Sequence, residues 1–224
     1  MSRCGDVFEN RATGEHVVVL RGSEDRNGGP TLAHLRVASG GGVTGEHVHP
    51  FFHERFTVLR GRLDARVDGR SVALGPGESA YVEAGVPHDW WNASPSEDAH
   101  VLVEVSTVPG PEGCAAAVDP RRFELMIGNV FGLANDGKLD RRRRLPLLHA
   151  AVFAQEFADV IRFTQPPPAV QRALFAVLAP LGRLAGHRAL EPRYARPHGH
   201  VAPKPWVLAA AGLAAGAAAQ ASTA

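Results

Sequence analysis

Hydrophobic and polar residues alternate in short runs through the first half of the chain. Gly and Asp turns separate these runs, and Asp68-Gly69 suits the type I′ turn of a β-hairpin. Short strands at close, regular spacing predict an antiparallel β-sandwich or barrel. The runs that predict strands are 16–20, 31–38, 54–61, 63–69, 71–75, 79–85, 88–92 and 100–106.

The pattern becomes helical after residues 108–119, a segment rich in Pro, Gly and Ala. Asp119-Pro120 is typical of a helix start, with Asp as the N-cap and Pro at the first helical position. Apolar residues at helical spacing then predict helices over 119–134, 146–163 and 169–185. We divide the chain into a β-barrel domain (1–108), a linker (109–118), a helical extension (119–190) and a Pro-rich spacer with an apolar, Ala-rich tail (191–224).

Composition and charge narrow the classes of function. The chain has 224 residues, of which 45% are hydrophobic and 21% charged, as expected for a globular domain with an appendage. Lys and Arg together number 24 against 23 for Asp and Glu, and this balance argues against a nucleic-acid-binding protein. The four arginines at 141–144 are better explained as a solvent-exposed segment before a helix than as a site that binds anionic lipid or nucleic acid.

Cysteine usage and hydropathy bear on the cellular compartment. Cys4 and Cys114 form no CxxC pattern and do not indicate a disulfide framework. The N-terminal residues lack the apolar stretch of a signal peptide, and no run reaches the roughly 18–20 apolar residues of a bilayer span. We therefore expect a cytoplasmic protein, with peripheral membrane contact through the C-terminal region as a less favoured alternative.

Three histidines and one glutamate carry the candidate chemistry. His47 and His49 lie two residues apart, so on a strand both imidazoles point to one face, and Glu54 follows on the next stretch of strand. A second segment, 77–92, supplies His88. Three imidazoles and a carboxylate that point into a barrel suit a divalent first-row transition metal ion. His53 should point to the opposite face, because neighbouring side chains alternate along a strand.

At these positions the chain resembles the cupin superfamily, in particular small single-barrel cupins with a quercetin-dioxygenase-like metal site. The first cupin motif, G(x)5HxH(x)3,4E(x)6G, is matched by Gly41, His47, His49, Glu54 and Gly61. The second, G(x)5PxG(x)2H(x)3N, is matched by Gly77, Gly85, His88 and Asn92, with Glu83 in place of the usual Pro. The resemblance implies a double-stranded β-helix (jelly-roll barrel), one bound Fe, Mn, Ni, Cu, Co or Zn ion held by the two motifs, and often a dimer.

Several apolar and aromatic residues are candidates for contact with a substrate. Phe56 and Val58 share strand parity with Glu54, and Trp90 shares it with His88. These three side chains would form either an apolar lining around the metal or plain barrel core. Tyr81 is a further candidate, as a proton donor.

The resemblance implies a metal-dependent enzyme, with dioxygenation of a small, apolar or aromatic, enolisable substrate as the leading reaction and Glu54 as the base. An oxygen-independent isomerase, cyclase or lyase of a natural-product pathway is the alternative, because the same four ligands serve both. A non-catalytic small-molecule-binding protein is the third class. We expect a small-molecule substrate and a homodimer, and no nucleic-acid partner.

Overall fold

The computed structural model describes residues 2–25, 30–43, 45–108, 118–141 and 143–213. Every strand that the sequence pattern predicts is present, within three residues of its expected bounds. The pattern did not predict β1 and β4. The strands of the first half are β1 (Asp6–Asn10), β2 (Glu15–Arg21), β3 (Thr31–Val37), β4 (His47–Val48), β5 (Phe52–Arg60), β6 (Leu63–Val67), β7 (Arg70–Leu74), β8 (Ser79–Val82), β9 (His88–Trp91) and β10 (Ala99–Thr107).

The second half contains four described helices and two short strands. The helices are α1 (Arg121–Asn135), α2 (Leu147–Glu156), α3 (Pro168–Leu184) and α4 (Pro205–Ala210). The strands are β11 (Arg162–Phe163) and β12 (Gly199–His200). The expected helix over 146–163 is too long, because the chain leaves the helix after Glu156 and then pairs β11 with β4 of the barrel.

Two antiparallel sheets face each other, as the sequence pattern predicted for a mainly β fold. The larger sheet has the strand order β12-β1-β2-β3-β10-β5-β8, and the smaller has the order β11-β4-β9-β6-β7. Alternate residues of both sheets point inward and form one apolar core. This core includes Leu35, Val37, Phe56, Val58, Leu63, Trp90 and Val101. The barrel fold with a helical extension is therefore confirmed.

Local interactions fix the barrel's turns. Asp68 and Gly69 both have positive φ angles, 50° and 72°, as the type I′ hairpin between β6 and β7 requires. Asn92, only 1% exposed, donates hydrogen bonds from Nδ2 to the carbonyls of Val37 (3.1 Å) and Glu97 (2.7 Å). These bonds connect the end of β9 to the end of β3 and to the loop before β10, so the buried amide has a structural role.

The helical extension and the C-terminal spacer pack directly on the barrel. Phe52 and Val105 of the barrel belong to the same apolar cluster as Met126 of α1, Phe153 of α2 and Ala179 of α3. Strand β12 pairs with β1, and α4 places two buried residues on the outer face of the larger sheet. Residues 109–117, which include Cys114, lie outside the described residues, as do Arg142 of the arginine run and residues 214–224 of the tail.

One face of α3 carries large apolar side chains that are exposed. The other face packs against α2, where Ala179 is fully buried and Gly182 lies against the Leu148 carbonyl. Among the described residues, no helix combines the length and the apolarity that crossing a bilayer requires. The exposed residues of α3 are Val170, Leu174, Val177, Leu181 and Leu184.

Candidate metal centre

The structure brings His47, His49, Glu54 and His88 together inside the barrel. His47 lies on β4, His49 directly follows it, Glu54 lies on β5 and His88 on β9. Each of the four residues is at most 5% exposed. One potential ligand atom from each residue lies within 4.8 Å of the others. The two-residue spacing of His47 and His49 puts both rings on the inner face, and His47 pairs directly with His88 across two strands.

The carboxylate of Glu54 lies among the imidazoles. Its Oε2 is 2.8 Å from Nε2 of His88 and 3.5 Å from Nε2 of His49. The ring centroid of His47 is 4.4 Å from that of His88 and 4.9 Å from that of His49. These four groups therefore converge on a space of the size of one coordination sphere.

Main-chain carbonyls select the tautomer of each histidine. Nδ1 of His47 lies 3.1 Å from the Gly45 carbonyl, and Nδ1 of His88 lies 3.0 Å from the Val86 carbonyl. Nδ1 of His49 lies 2.7 Å from the carbonyl of Val160. A carbonyl only accepts, so each Nδ1–H donates and each Nε2 faces the centre. Nε2 of His47 and His49 keep their lone pairs, whereas Nε2 of His88 lies in hydrogen-bond distance of the Glu54 carboxylate. This outward bonding is typical of metal-binding histidines, and the donor set fits a divalent transition metal ion.

Electrostatics keep His47, His49 and Glu54 in the protonation state that a cation needs. Burial lowers the pKa of His47 to about 3 and also lowers the pKa of His49. Burial alone would raise the pKa of Glu54, but the imidazoles of His49 and His88 lower it to about 2. Burial alone would lower the pKa of His88, but its hydrogen bond to Glu54, the charges of Glu54 and Asp89 and its contact with the Val86 carbonyl together raise it. An ionised carboxylate beside mostly neutral imidazoles is a cation-binding set.

Comparison with known proteins agrees with this geometry. Residues 33–105 match the cupin domain family. The barrel of this chain is a cupin domain. Over 82 residues the chain is 35% identical to the tetracenomycin polyketide synthase protein TcmJ of Streptomyces glaucescens, a match that covers 36% of this chain and 54% of that protein. The chain thus spans about half the length of this curated relative.

Two solved structures are similar to just under half of the chain. The Cnp3 cupin domain of Schizosaccharomyces pombe is 11% identical, with a TM-score of 0.39, over 46% of this chain and 68% of that one. A predicted oxalate decarboxylase from Thermotoga maritima is 19% identical, with a TM-score of 0.42, over 48% of this chain and all of that one. The family match and the two cupin motifs, rather than these distant structural likenesses, carry the assignment to cupins.

The helical extension contributes to the wall of the candidate metal centre. The ring of Phe123 on α1 lies 5.1 Å from that of His49, and the ring of Phe163 on β11 lies 6.4 Å from that of His47. With Val160, these residues come from parts of the chain far from both cupin motifs. Sequence reasoning did not find them, because no local pattern links residues that only the tertiary fold brings together.

An apolar cavity of about 110 Å³ adjoins the centre and shares Glu54 with it. Phe56 and Trp90, candidates for either an apolar lining around the metal or plain barrel core, line this cavity together with residues of α1. Val58 does not line it and lies fully buried in the barrel core. The apolar lining consists of Phe8, Val17, Val19, Ala33, Leu35, Phe56, Trp90, Val103, Val105, Phe123, Ile127 and Phe131.

The structure does not bring Tyr81 to the cavity. Tyr81 pairs with Arg55 across β8 and β5, so both side chains stand on the outer face of the sheet. The Tyr81 ring is 48% exposed and stacks on His53 with ring centroids 5.8 Å apart. His53 faces away from the centre, as expected, and its Nδ1 accepts a hydrogen bond from the main-chain N–H of Ala84.

Proposed function

We propose that this cupin is a metal-dependent enzyme that acts on a small, largely apolar, aromatic or enolisable substrate, with oxidation by dioxygen as its reaction. The observation that carries the proposal is the position of Glu54, which belongs both to the four-residue centre and to the wall of the apolar cavity. A substrate in the cavity would meet the only ionised carboxylate of that centre.

The Nε2 atoms of His47, His49 and His88 and a carboxylate oxygen of Glu54 would hold one divalent transition metal ion. When bound, the ion would supply Lewis acidity toward a substrate oxygen and a centre for redox chemistry. The low pKa of Glu54, about 2, keeps its carboxylate ionised. Its second oxygen would accept a proton from a C–H or phenolic O–H group whose acidity the bound ion raises. Phe123 and Phe56 exclude water from the same space and favour an apolar substrate.

Oxygen-independent cyclisation or isomerisation is the second candidate. The likeness to TcmJ, whose name assigns it to a polyketide synthase, favours this class. A linear poly-β-ketone is enolisable at several carbons, and removal of one such proton by Glu54 would start ring closure. The same residues would act in both reactions, so only the need for dioxygen separates them.

Metal analysis and oxygen uptake test the proposal together. The full chain, purified without chelator or affinity tag, should contain about one equivalent of Fe, Mn, Ni, Cu or Co. A His47→Ala/His49→Ala variant should lose the metal, whereas His53→Ala, a neighbouring histidine on the outer face, should keep it. The metal-loaded protein should then consume dioxygen with quercetin as the probe, and the metal-free variant should not.

The other outcomes assign the protein to the remaining classes. Turnover of a poly-β-ketone at equal rates under air and argon, without oxygen uptake, would support cyclisation and overturn oxidation. Bound zinc together with such turnover would support cyclisation further, because zinc has no redox chemistry. Absence of metal after reconstitution would overturn both enzymatic proposals and leave a small-molecule-binding cupin.

A further inference from the structure

Glu15 is a buried carboxyl group that the metal chemistry does not use. It begins β2 and is 8% exposed. Its Oε2 accepts hydrogen bonds from Nδ2 of Asn10 (3.3 Å) and from the hydroxyl of Thr13. Within the described residues, no cationic side chain forms an ion pair with Glu15. A buried carboxyl without a cation favours its neutral form, which has an O–H to donate.

The Glu15 carboxyl lines the same apolar cavity as Glu54, but at the other end of the sheet. Glu15 pairs with Val37, which pairs with Ala99 on β10, whereas Glu54 pairs with Val105 on the same strand. Six residues of β10, or about 20 Å, separate the position level with Glu15 (Ala99) from the position level with Glu54 (Val105). The cavity therefore has a carboxyl group at each end and apolar walls between them.

The cavity also carries a hydroxyl group without a partner. Ser2 lines it and is 1% exposed, and its Oγ makes no hydrogen bond with the described residues. Buried polar atoms in native proteins are nearly always hydrogen-bonded. A ligand that carries oxygen atoms would give the Ser2 hydroxyl a partner and the O–H of neutral Glu15 an acceptor, whereas a hydrocarbon of the same shape would do neither.

We propose that Glu15 donates a hydrogen bond to a hydroxyl or carbonyl oxygen of the substrate. The substrate would then carry two oxygens: one on the ring-sized part that enters the barrel and contacts Glu15, and one on the part that reacts at Glu54. The cavity of about 110 Å³ is smaller than the roughly 150 Å³ dry cavity that accepts benzene, so the part of the substrate that enters it is no larger than one ring. Burial raises the pKa of Glu15 to about 7, which keeps much of this donor protonated at neutral pH. This inference rests on the proposed function, because it assigns the substrate to the same cavity.

Two ligands of nearly equal shape, p-cresol and p-xylene, test the proposal. NMR titration of the full chain gives both dissociation constants, with and without Zn²⁺. The preference for p-cresol over p-xylene should fall about 2- to 10-fold in Glu15→Leu, as expected for one hydrogen bond. Glu15→Gln keeps both a donor and an acceptor and should retain the preference. Thr13→Val, which alters the turn but leaves the carboxyl group, should also retain it.

Infrared difference spectra keep the test decisive if Glu15→Leu does not fold. The C=O band of the protonated carboxyl should shift when wild-type protein binds p-cresol but not p-xylene, and the Glu15→Gln variant should lack this band. An equal preference in wild type and Glu15→Leu, or no shift of the band, would overturn the role of Glu15. Metal content is measured in every sample, so a failure of the metal centre is separated from a failure at Glu15.

Discussion

The main-chain carbonyl of Val160 accepts a hydrogen bond of 2.7 Å from Nδ1 of His49, although 111 residues separate the two. The carbonyl belongs to the turn that follows α2, where the N–H groups of Val160 and Ile161 both donate to the carbonyl of Phe157 at 2.8 Å. The helical extension thus orients one histidine of the candidate metal centre directly. Outer contacts of this kind set the ring orientation and the basicity of a metal-binding histidine.

Loosening this turn should weaken metal binding. Phe157 is fully buried and its ring packs 4.8 Å from that of Phe153, so it anchors the turn that carries Val160. We expect Phe157→Ala to lower the free energy of unfolding by about 3–5 kcal/mol. We also expect it to raise the dissociation constant for Zn²⁺ by about 10- to 100-fold, as measured by competition with a chromophoric chelator.

Leu63→Ala is the matched control, because Leu63 is equally buried but belongs to the barrel core. It should cost a comparable 2–5 kcal/mol of stability and leave the zinc affinity near that of wild type. A similar loss of affinity in both variants would show that general destabilisation, and not the Val160 carbonyl, weakens the centre.

The four ligands were predictable because strand parity and motif spacing are local properties. His47 and His49 face one way on any strand, and the β4–β9 register then places His88 opposite His47. Strand parity with Glu54 and His88 also indicated that Phe56 and Trp90 face the barrel interior, where both line the cavity. It could not assign a face to Tyr81, because the register of β8 on β5 sets that face.

The contributions of the extension could not be read from local pattern. Phe157, Val160 and Ile161 continue the helical spacing of α2, so the apolar periodicity predicted a helix as far as residue 163. In the structure these residues are buried by the turn and by pairing of β11 with β4. Tertiary packing overrides the local signal there, and this change of path brings the Val160 carbonyl to His49.

Removal of the Glu15 charge should change how stability depends on pH. Burial raises the pKa of Glu15 to about 7, above the ordinary 4.5, so the folded state retains a proton that the unfolded chain releases. Wild-type stability should therefore fall relative to Glu15→Gln as pH rises from 4.5 to 7, by up to about 3 kcal/mol. Urea denaturation at pH 5 and pH 8 measures this, and an equal difference between the two proteins at both pH values would contradict it.

His34 should produce the opposite dependence. It lies buried between the larger sheet and α4, with Nε2 at 3.0 Å from Nδ1 of His100 and the Trp206 ring edge-on at 5.6 Å. Burial, and then the charge of His100, lowers the pKa of His34 to about 4. The unfolded chain binds this proton first as pH falls, so the stabilisation is complete above pH 6.5 and is lost as pH falls toward 4.

The variant His34→Phe keeps the ring and removes the titration. Between pH 6.5 and pH 4 the variant should lose less stability than wild type in the same urea measurement. The difference between the two losses should be at most about 3 kcal/mol. His53→Phe serves as the control, since the histidine it replaces is only partly buried beside the exposed Tyr81. Acid curves of wild type and His34→Phe that run parallel would show that His34 does not cause the acid sensitivity.

Gly132 should tolerate no side chain, although it lies in the middle of α1. A Cβ atom there would lie 2.1 Å from Cδ1 of Tyr194 and 2.8 Å from its Cβ. Tyr194 cannot easily withdraw, because it is 6% exposed and its hydroxyl donates to Asp136. Alanine would favour the helix by about 1 kcal/mol, but the clash should outweigh this gain and leave a net loss of about 1–3 kcal/mol.

Thermal unfolding measures this loss as a fall in Tm of about 2–4 °C for each kcal/mol in a chain of this size. Gly199→Ala is the control, since a Cβ atom at Gly199 meets no atom within 4 Å and its stability should change by less than about 0.5 kcal/mol. A higher Tm in Gly132→Ala would mean that helix propensity decides, and that Tyr194 does not pack on α1 as closely as these distances require. A lower Tm with an unchanged control would place the close contact between the spacer and α1 among the interactions that hold the extension on the barrel.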